Sequence, residues 1–141
     1  MGGRVKKPVR LSTFAALVTC LSAFATSALS DPCAAPLPPP GTNFSGVVRY
    51  VGDGDGLCVG ASSDPSTWIE VRLADFYAPE LHAPGGPQAK SALSRIAMGK
   101  VARCVAEHRS YDRIVSACTI NGRGVGDLMR GAGIAEGGNG W

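Results

Sequence analysis

The sequence lacks the motifs of several common site chemistries. It contains no C-x-x-C or H-x-x-x-H spacing, and its two histidines, His82 and His108, are isolated, which argues against a zinc site. No G-x-S-x-G motif occurs, so the strained serine turn of the α/β-hydrolases is absent. Gly99-Lys100 has neither the upstream glycine spacing nor the hydroxyl of a phosphate-binding loop.

The chain also lacks a large excess of charge of one sign. Of its 14 Lys and Arg residues, four precede residue 31, where no acidic residue offsets them. From Asp31 onward, ten basic residues face 11 acidic ones, a net charge of −1. This excludes a protein that coats nucleic acid unselectively, and any phosphate binding must come from a local cluster. The 141 residues suffice for one domain with a modest core.

Residues 1–30 have the three parts of a secretory signal peptide. Basic residues end at Arg10, an apolar stretch runs from about Phe14 to Ala28, and small residues follow. Cleavage after Ser30 and cleavage after Ala25 both fit, and an uncleaved anchor over 11–29 is the alternative. We expect export to the periplasm or the extracellular space as a monomer, without stable membrane association after cleavage.

Four cysteines remain after the signal, and an even number in an exported chain predicts two disulfides. Strands at Val101–Glu107 and Ile114–Ile120 would form a hairpin around a turn at His108–Asp112. In a hairpin centred near Tyr111, two of the cysteines lie opposite each other. The predicted disulfides are Cys104–Cys118 and, for the remaining pair, Cys33–Cys58.

Three further strands and two helices are expected, which favours an α+β fold: a five-stranded barrel of the oligonucleotide/oligosaccharide-binding (OB) type with about two short helices. The expected elements are strands Phe44–Val51, Leu57–Gly60 and Trp68–Leu73, a helix from Pro87 to about Met98, and a helix at Val125–Ala132. A proline-rich linker at 31–43 would precede the domain at 44–136, and 137–141 would form a flexible tail.

Several polar residues fit a site for phosphate chemistry. Asp53 and Asp55 lie two apart in a tight turn, so that both carboxylates could approach one hard cation, although Asp-Gly pairs also simply make turns. Arg72 closes a strand and faces either a ligand or solvent, and Arg113 at the hairpin base could equally be a solvated charge. Arginines, a cation and a carboxylate that handles water are what metal-assisted phosphodiester cleavage requires.

At these residues the sequence resembles the staphylococcal nuclease (thermonuclease) family, over about 44–135. Five segments follow one another in the family's order. They are Val51-Gly-Asp-Gly-Asp55, Val71-Arg-Leu-Ala-Asp-Phe-Tyr-Ala-Pro-Glu80, Gly86-Pro-Gln-Ala89, Tyr111-Asp-Arg113, and Gly122 to Gly133 with Asp127-Leu128-Met129.

The resemblance implies a role for each matching residue. Asp55 would ligate Ca²⁺, Arg72 and Arg113 would clamp the phosphate, and Glu80 would act on the attacking water. Tyr111 is expected to contact the substrate. The chain departs from the family where a second calcium-ligating aspartate directly precedes A-P-E.

That position is Tyr77, whose phenol is neutral at pH 7 and a poor ligand for a hard dication. Asp53 or Asp75 could substitute in the calcium site. The resemblance therefore implies an exported, Ca²⁺-dependent nuclease acting on DNA and RNA, with metal affinity or activity weakened by Tyr77. The alternatives are a non-catalytic OB-fold module that binds nucleic acid or an extracellular partner, and a disulfide-stapled envelope protein without a ligand.

Overall fold

The computed structural model describes residues 2–5, 8 and 30–137, so that most of the expected signal peptide lies outside the described residues. Within 30–137 the chain forms six strands and two helices. In chain order they are β1 (Asn43–Val51), β2 (Gly56–Gly60), β3 (Trp68–Leu73), α1 (Gly86–Ala97), β4 (Val101–Ser110), β5 (Arg113–Ile120), β6 (Arg123–Gly124) and α2 (Val125–Gly131).

The first five strands close into a barrel. The strand order is β3-β2-β1-β4-β5-β6, and a parallel pairing between β3 and β5 joins the two sides. This confirms the expected α+β, OB-like barrel of five strands with two helices. The sixth strand, β6, was not predicted, because a two-residue strand is too short to leave an alternating pattern in the sequence.

Helix α1 lies against β1 and α2 and begins where the sequence predicts a start. Gly85, in the left-handed region with φ 85°, precedes it, and a proline occupies its first turn. Its buried side chains recur at helical spacing and join the barrel core. They are Ala89, Ala92, Leu93 and Ala97.

The β4–β5 hairpin confirms the predicted register but not the predicted turn. Cys104 pairs with Cys118 across the hairpin, and the two form a disulfide, as do Cys33 and Cys58. The turn is shorter than the expected 108–112, because β4 continues to Ser110 after an irregularity in the pairing between Ala106 and His108. Only two residues connect the strands, and Tyr111 makes this possible with a φ of 56°.

The segment before β1, residues 31–42, is docked on the barrel, and we call it the N-terminal arm. The Ala35 amide donates to the Trp68 carbonyl oxygen at 3.0 Å, at the start of β3. The Leu37 side chain packs against the barrel core. The Cys33–Cys58 disulfide fixes the beginning of the arm to the middle of β2. The proline-rich segment expected as a linker thus contributes side chains and hydrogen bonds to the folded domain.

The two disulfides are consistent with an oxidising compartment, such as the one that the expected export would reach. No helix within the described residues is long and apolar enough to cross a membrane.

Candidate phosphate and cation site

The turn between β1 and β2 fixes the position of Asp55 through three hydrogen bonds. The Asp55 amide donates to Asp53 Oδ1 at 3.1 Å, which closes an Asx turn. The Asp55 carbonyl oxygen accepts from the Leu73 amide at 2.8 Å, and its Oδ2 accepts from the Ala78 amide at 3.0 Å. The carboxylate is therefore held between the end of β3 and the Ala78-Pro79-Glu80 segment.

Gly54 allows this turn to pack closely against its neighbours. A Cβ atom at Gly54 would lie 2.5 Å from the Cβ atoms of both Ala78 and Ala89. Real atoms do not approach so closely, so any side chain here would push the turn away from the Ala78 segment and from α1. In the motif Asp53-Gly54-Asp55, the glycine is thus required for the close packing of the turn, and the two aspartates supply its carboxylates.

Asp55 is only 4% exposed and lies at ion-pair distance from a basic side chain. Arg72 Nη2 lies 3.8 Å from Asp55 Oδ2. Burial of the carboxyl, followed by repulsion from Asp53, raises the pKa of Asp55 to about 7, and Arg72 opposes that rise. Two close carboxylates whose charge is poorly compensated favour the approach of a cation.

Arg72 and Arg113 are brought to the same side of the barrel by the parallel pairing of β3 and β5. Val71 and Ile114 are register partners, and both are buried in the core. Because side chains alternate along a strand, Arg72 and Arg113 both face away from that core. The buried Nε atom of Arg113 has no hydrogen-bond partner within the described residues. Such a donor is rare without a ligand or water to accept from it.

Glu70 is a neighbour of both arginines on this face of the barrel. It is two residues before Arg72 on β3, and the parallel register puts it level with Arg113 on β5. Burial and a hydrogen bond from the Glu70 carboxyl to the Asp31 carboxylate raise the pKa of Glu70 to about 7, while Arg113 lowers it. Glu70 and Asp31 were not among the predicted site residues.

The alternation along β3 was the signal for Glu70, because any residue two positions from Arg72 shares its face. Asp31 gave no such signal on its own. Its position depends on the Cys33–Cys58 disulfide, which brings the start of the arm to β2.

The other predicted catalytic and substrate-binding residues lie at the edge of this face. Glu80 is exposed in the loop after β3, two residues after Ala78, whose amide binds Asp55. Tyr111 is 89% exposed at the tip of the β4–β5 hairpin, two residues before Arg113. Both side chains are exposed, and Tyr111 belongs to the hairpin that carries Arg113.

Asp75, which the sequence offered as a substitute calcium ligand, binds the start of α2 through one of its carboxylate oxygens. Its Oδ2 accepts from the Gly126 amide at 2.9 Å, in the first turn of α2. Gly126 leaves no room for a side chain, since a Cβ there would lie 2.6 Å from that same oxygen. Through Oδ2 the carboxylate supplies the missing acceptor at the start of α2, while its buried Oδ1 atom has no hydrogen-bond partner within the described residues.

Tyr77, at the position where the family has its second aspartate, is fixed through its main chain. The Tyr77 amide donates to Glu136 Oε1 and the Gly137 amide donates to the Tyr77 carbonyl oxygen, both at 3.0 Å. Arg130 adds to this arrangement, because it lies 3.7 Å from Glu136 Oε1 and donates to the Asp75 carbonyl oxygen. The C-terminal segment therefore closes over the loop after β3, and residues 138–141 of the expected tail lie outside the described residues.

The donor set for a metal is small. Among the described residues no group of three or more His, Cys, Asp or Glu side chains is arranged to hold a metal ion. Asp53 and Asp55 supply one carboxylate each, and each already accepts one backbone hydrogen bond. A Ca²⁺ ion takes six to eight oxygen ligands, so water and substrate oxygens would have to complete its coordination.

Replacing Gly54 with alanine is expected to lower the free energy of unfolding by about 1–3 kcal/mol, because the added methyl group overpacks the turn. Gly131→Ala is the matched control, since Gly131 is exposed in α2 and has open space around it. That variant should gain up to about 1 kcal/mol from helix propensity. Urea denaturation measures both values, and a Gly54→Ala protein as stable as the parent would contradict the packing described here.

The protonation of Glu70 predicts a pH dependence of stability. Its pKa is about 7 in the folded protein against an ordinary 4.5, so the folded state holds a proton that the unfolded chain releases. This contribution to stability is complete below about pH 4.5 and is lost as the pH rises to about 7. Glu70→Gln should therefore flatten the fall in unfolding free energy between pH 4.5 and 7, measured by urea denaturation with a chelator present. Glu107→Gln, on the exposed face of β4, should keep the parent's slope, and a Glu70→Gln protein with that same slope would contradict the prediction.

No protein-family model matches the chain, and no curated protein matches it at a significant level.

Proposed function

We propose that this protein is an exported phosphodiesterase of the staphylococcal nuclease type, which hydrolyses DNA and RNA with the assistance of Ca²⁺. The observation that carries the proposal is the convergence of Asp55, Arg72 and Arg113 at one side of an OB-like barrel. OB folds bind oligonucleotides on the face of strands 2 and 3 and at the loops that join strands 1–2 and 4–5. Asp55 lies in the first of these loops, and Arg113 directly follows the second.

The two arginines have the charge and geometry for the phosphate. A guanidinium donates in a planar fork that matches phosphate oxygens, and it remains charged at any working pH. Arg72 is already held next to Asp55, and Arg113 carries a buried Nε donor without a partner within the described residues. Both would stabilise the negative charge that develops on the phosphoryl oxygens during attack by water.

Asp53 and Asp55 are the residues that would hold Ca²⁺. When bound there, the ion would polarise the scissile phosphate and relieve the repulsion between the two carboxylates. The raised pKa of Asp55 supports this role, since a buried carboxyl next to another carboxyl gains from a cation. Tyr77 supplies no carboxylate, so the affinity for Ca²⁺ would be low.

Glu80 would orient the attacking water or accept its proton. The residue is exposed, and its segment is tied to the site through the hydrogen bond from the Ala78 amide to Asp55. Attack by water forms a bond from its oxygen to phosphorus and breaks one phosphorus–ester bond, and the water proton passes to Glu80. The leaving ester oxygen must also gain a proton, which solvent can supply.

The small donor set favours a second candidate, a non-catalytic module that binds nucleic acid on the same face. Among the described residues no group of three or more His, Cys, Asp or Glu side chains could hold a metal ion, and the loop that carries Tyr77 is fixed to the C-terminal segment. In such a module the arginines would still bind the phosphate backbone. Retained binding without cleavage, in Ca²⁺ and in other divalent ions, would identify it.

Arg72→Ala and Arg113→Ala are each expected to lower kcat by about 10²–10³-fold, because each removes a donor that stabilises the developing charge. The assay is cleavage of denatured DNA by the exported, oxidised protein in Ca²⁺, repeated with a chelator. Arg123→Ala is the matched control, an exposed arginine on β6 that should leave kcat unchanged.

Arg72 also compensates the buried Asp55, so each variant's melting temperature must be measured alongside its activity. Folded Arg72→Ala and Arg113→Ala proteins that both cleave like the Arg123→Ala control would contradict the proposed roles.

A further inference from the structure

The outer face of the β1–β2–β3 sheet is covered by the protein's own N-terminal arm. Cys58 on β2 is the register partner of Tyr50 on β1 and of Glu70 on β3, so these three side chains form one row on one face. The neighbours Leu57 and Val59 point into the core. Every residue of β2 is nevertheless buried, including Cys58, because the arm lies over the outer face.

The arm brings a carboxylate into this row. Asp31 lies two residues before Cys33, whose disulfide to Cys58 sits at the centre of the row. Burial and the nearby Asp31 carboxyl raise the pKa of both the Tyr50 hydroxyl and the Glu70 carboxyl. Asp31 Oδ1 is also so close to Gly52 that a Cβ there would lie 2.9 Å from it. The disulfide and the close packing against Gly52 thus hold Asp31 in one position.

The Asp31 side chain lies close to the two arginines of the candidate site. Glu70 precedes Arg72 by two residues on the same face of β3, a separation of about 7 Å along a strand. Glu70 is also level with Arg113, whose charge acts on its carboxyl. Asp112 is a second acidic side chain, besides Asp31, that acts on Glu70. A phosphate backbone that reached Arg113 from the barrel face would therefore meet the negative charge of the arm.

We propose that the N-terminal arm is an autoinhibitory strap, in which Asp31, paired with Glu70 and tethered by Cys33–Cys58, occupies the face that nucleic acid would cover next to Arg113. The strap competes with a polyanionic strand for the same surface. It also repels the strand through like charge, and it releases the face when the tether or the carboxylate is removed. This inference rests on the proposed function, because it concerns access of nucleic acid to the same arginines.

The test measures binding of a fluorescent single-stranded oligodeoxynucleotide by anisotropy, with the exported, oxidised protein in a chelator so that no cleavage occurs. At about pH 9, above the pKa of Glu70, Asp31→Asn removes one full unit charge, and it should lower Kd about fivefold, the effect of removing one unit charge about 4 Å from another in water. Glu107→Gln removes the same charge from the exposed face of β4 and serves as the matched control, with an expected change of less than twofold.

The tether is tested separately. Replacing Cys33 and Cys58 together with serine releases the arm without changing any charge, and it should also lower Kd. Replacing Cys104 and Cys118 in the same way removes a disulfide of the β4–β5 hairpin and should not. Melting temperatures establish that each variant is folded, and Asp31→Asn gives the answer if the cysteine variants do not fold.

The inference is overturned if Asp31→Asn binds no more tightly than Glu107→Gln while Arg113→Ala weakens binding. In that case the arginines bind nucleic acid and the arm does not interfere. If Arg72→Ala and Arg113→Ala both bind like the parent, the proposed function fails as well, so the two failures are distinguishable.

Discussion

The Asp55 carboxylate is buried next to Arg72, where little of it is accessible to water. The geometry of the whole candidate site depends on how this carboxylate is buried. Gly54 lets the turn sink against Ala78 and α1, and the backbone of Leu73 and Ala78 then fixes Asp55 from two sides. An isolated buried carboxylate would cost several kcal/mol, and here Arg72 compensates it only in part. The remaining imbalance is what a cation would relieve, so the packing of the turn and the proposed chemistry have one physical origin.

Barrel closure extends this local arrangement to the second arginine. Strand β3 and strand β5 are far apart in sequence, and their parallel pairing alone puts Arg113 on the face that carries Arg72. The same pairing puts Glu70 level with Arg113, and the disulfide to Cys58 then adds Asp31. Arginines and carboxylates therefore alternate across a face that an OB fold uses for ligands. Because acidic and basic side chains nearly balance on this face, an anion can bind only where the positive charge of an arginine outweighs the negative charge of the acidic side chains around it.

Local patterns in the sequence were enough to predict the five barrel strands, α1, α2 and the Cys104–Cys118 disulfide, because alternation, the Asp-Gly turn and the hairpin register are short-range signals. The Cys33–Cys58 disulfide was predicted only as the remaining pair. The predicted hairpin turn was too long, since a pairing irregularity near His108 and the left-handed Tyr111 lengthen β4. The environment of Asp75 depends on α2, about fifty residues later, and that of Asp31 depends on a disulfide and the docking of the arm. Such long-range contacts leave no periodicity for a sequence to reveal.

Hydrolysis itself can be followed most directly with labelled water. The exported, oxidised protein would be incubated with a single-stranded oligodeoxynucleotide and Ca²⁺ in ¹⁸O-water, and the products weighed by mass spectrometry. We expect fragments whose new terminal phosphate carries one ¹⁸O atom, and none when a chelator replaces Ca²⁺ or when Arg72→Ala protein is used. An oligonucleotide that stays intact with folded protein, in Ca²⁺ and in every other divalent ion tried, would contradict the proposal that this barrel is a nuclease.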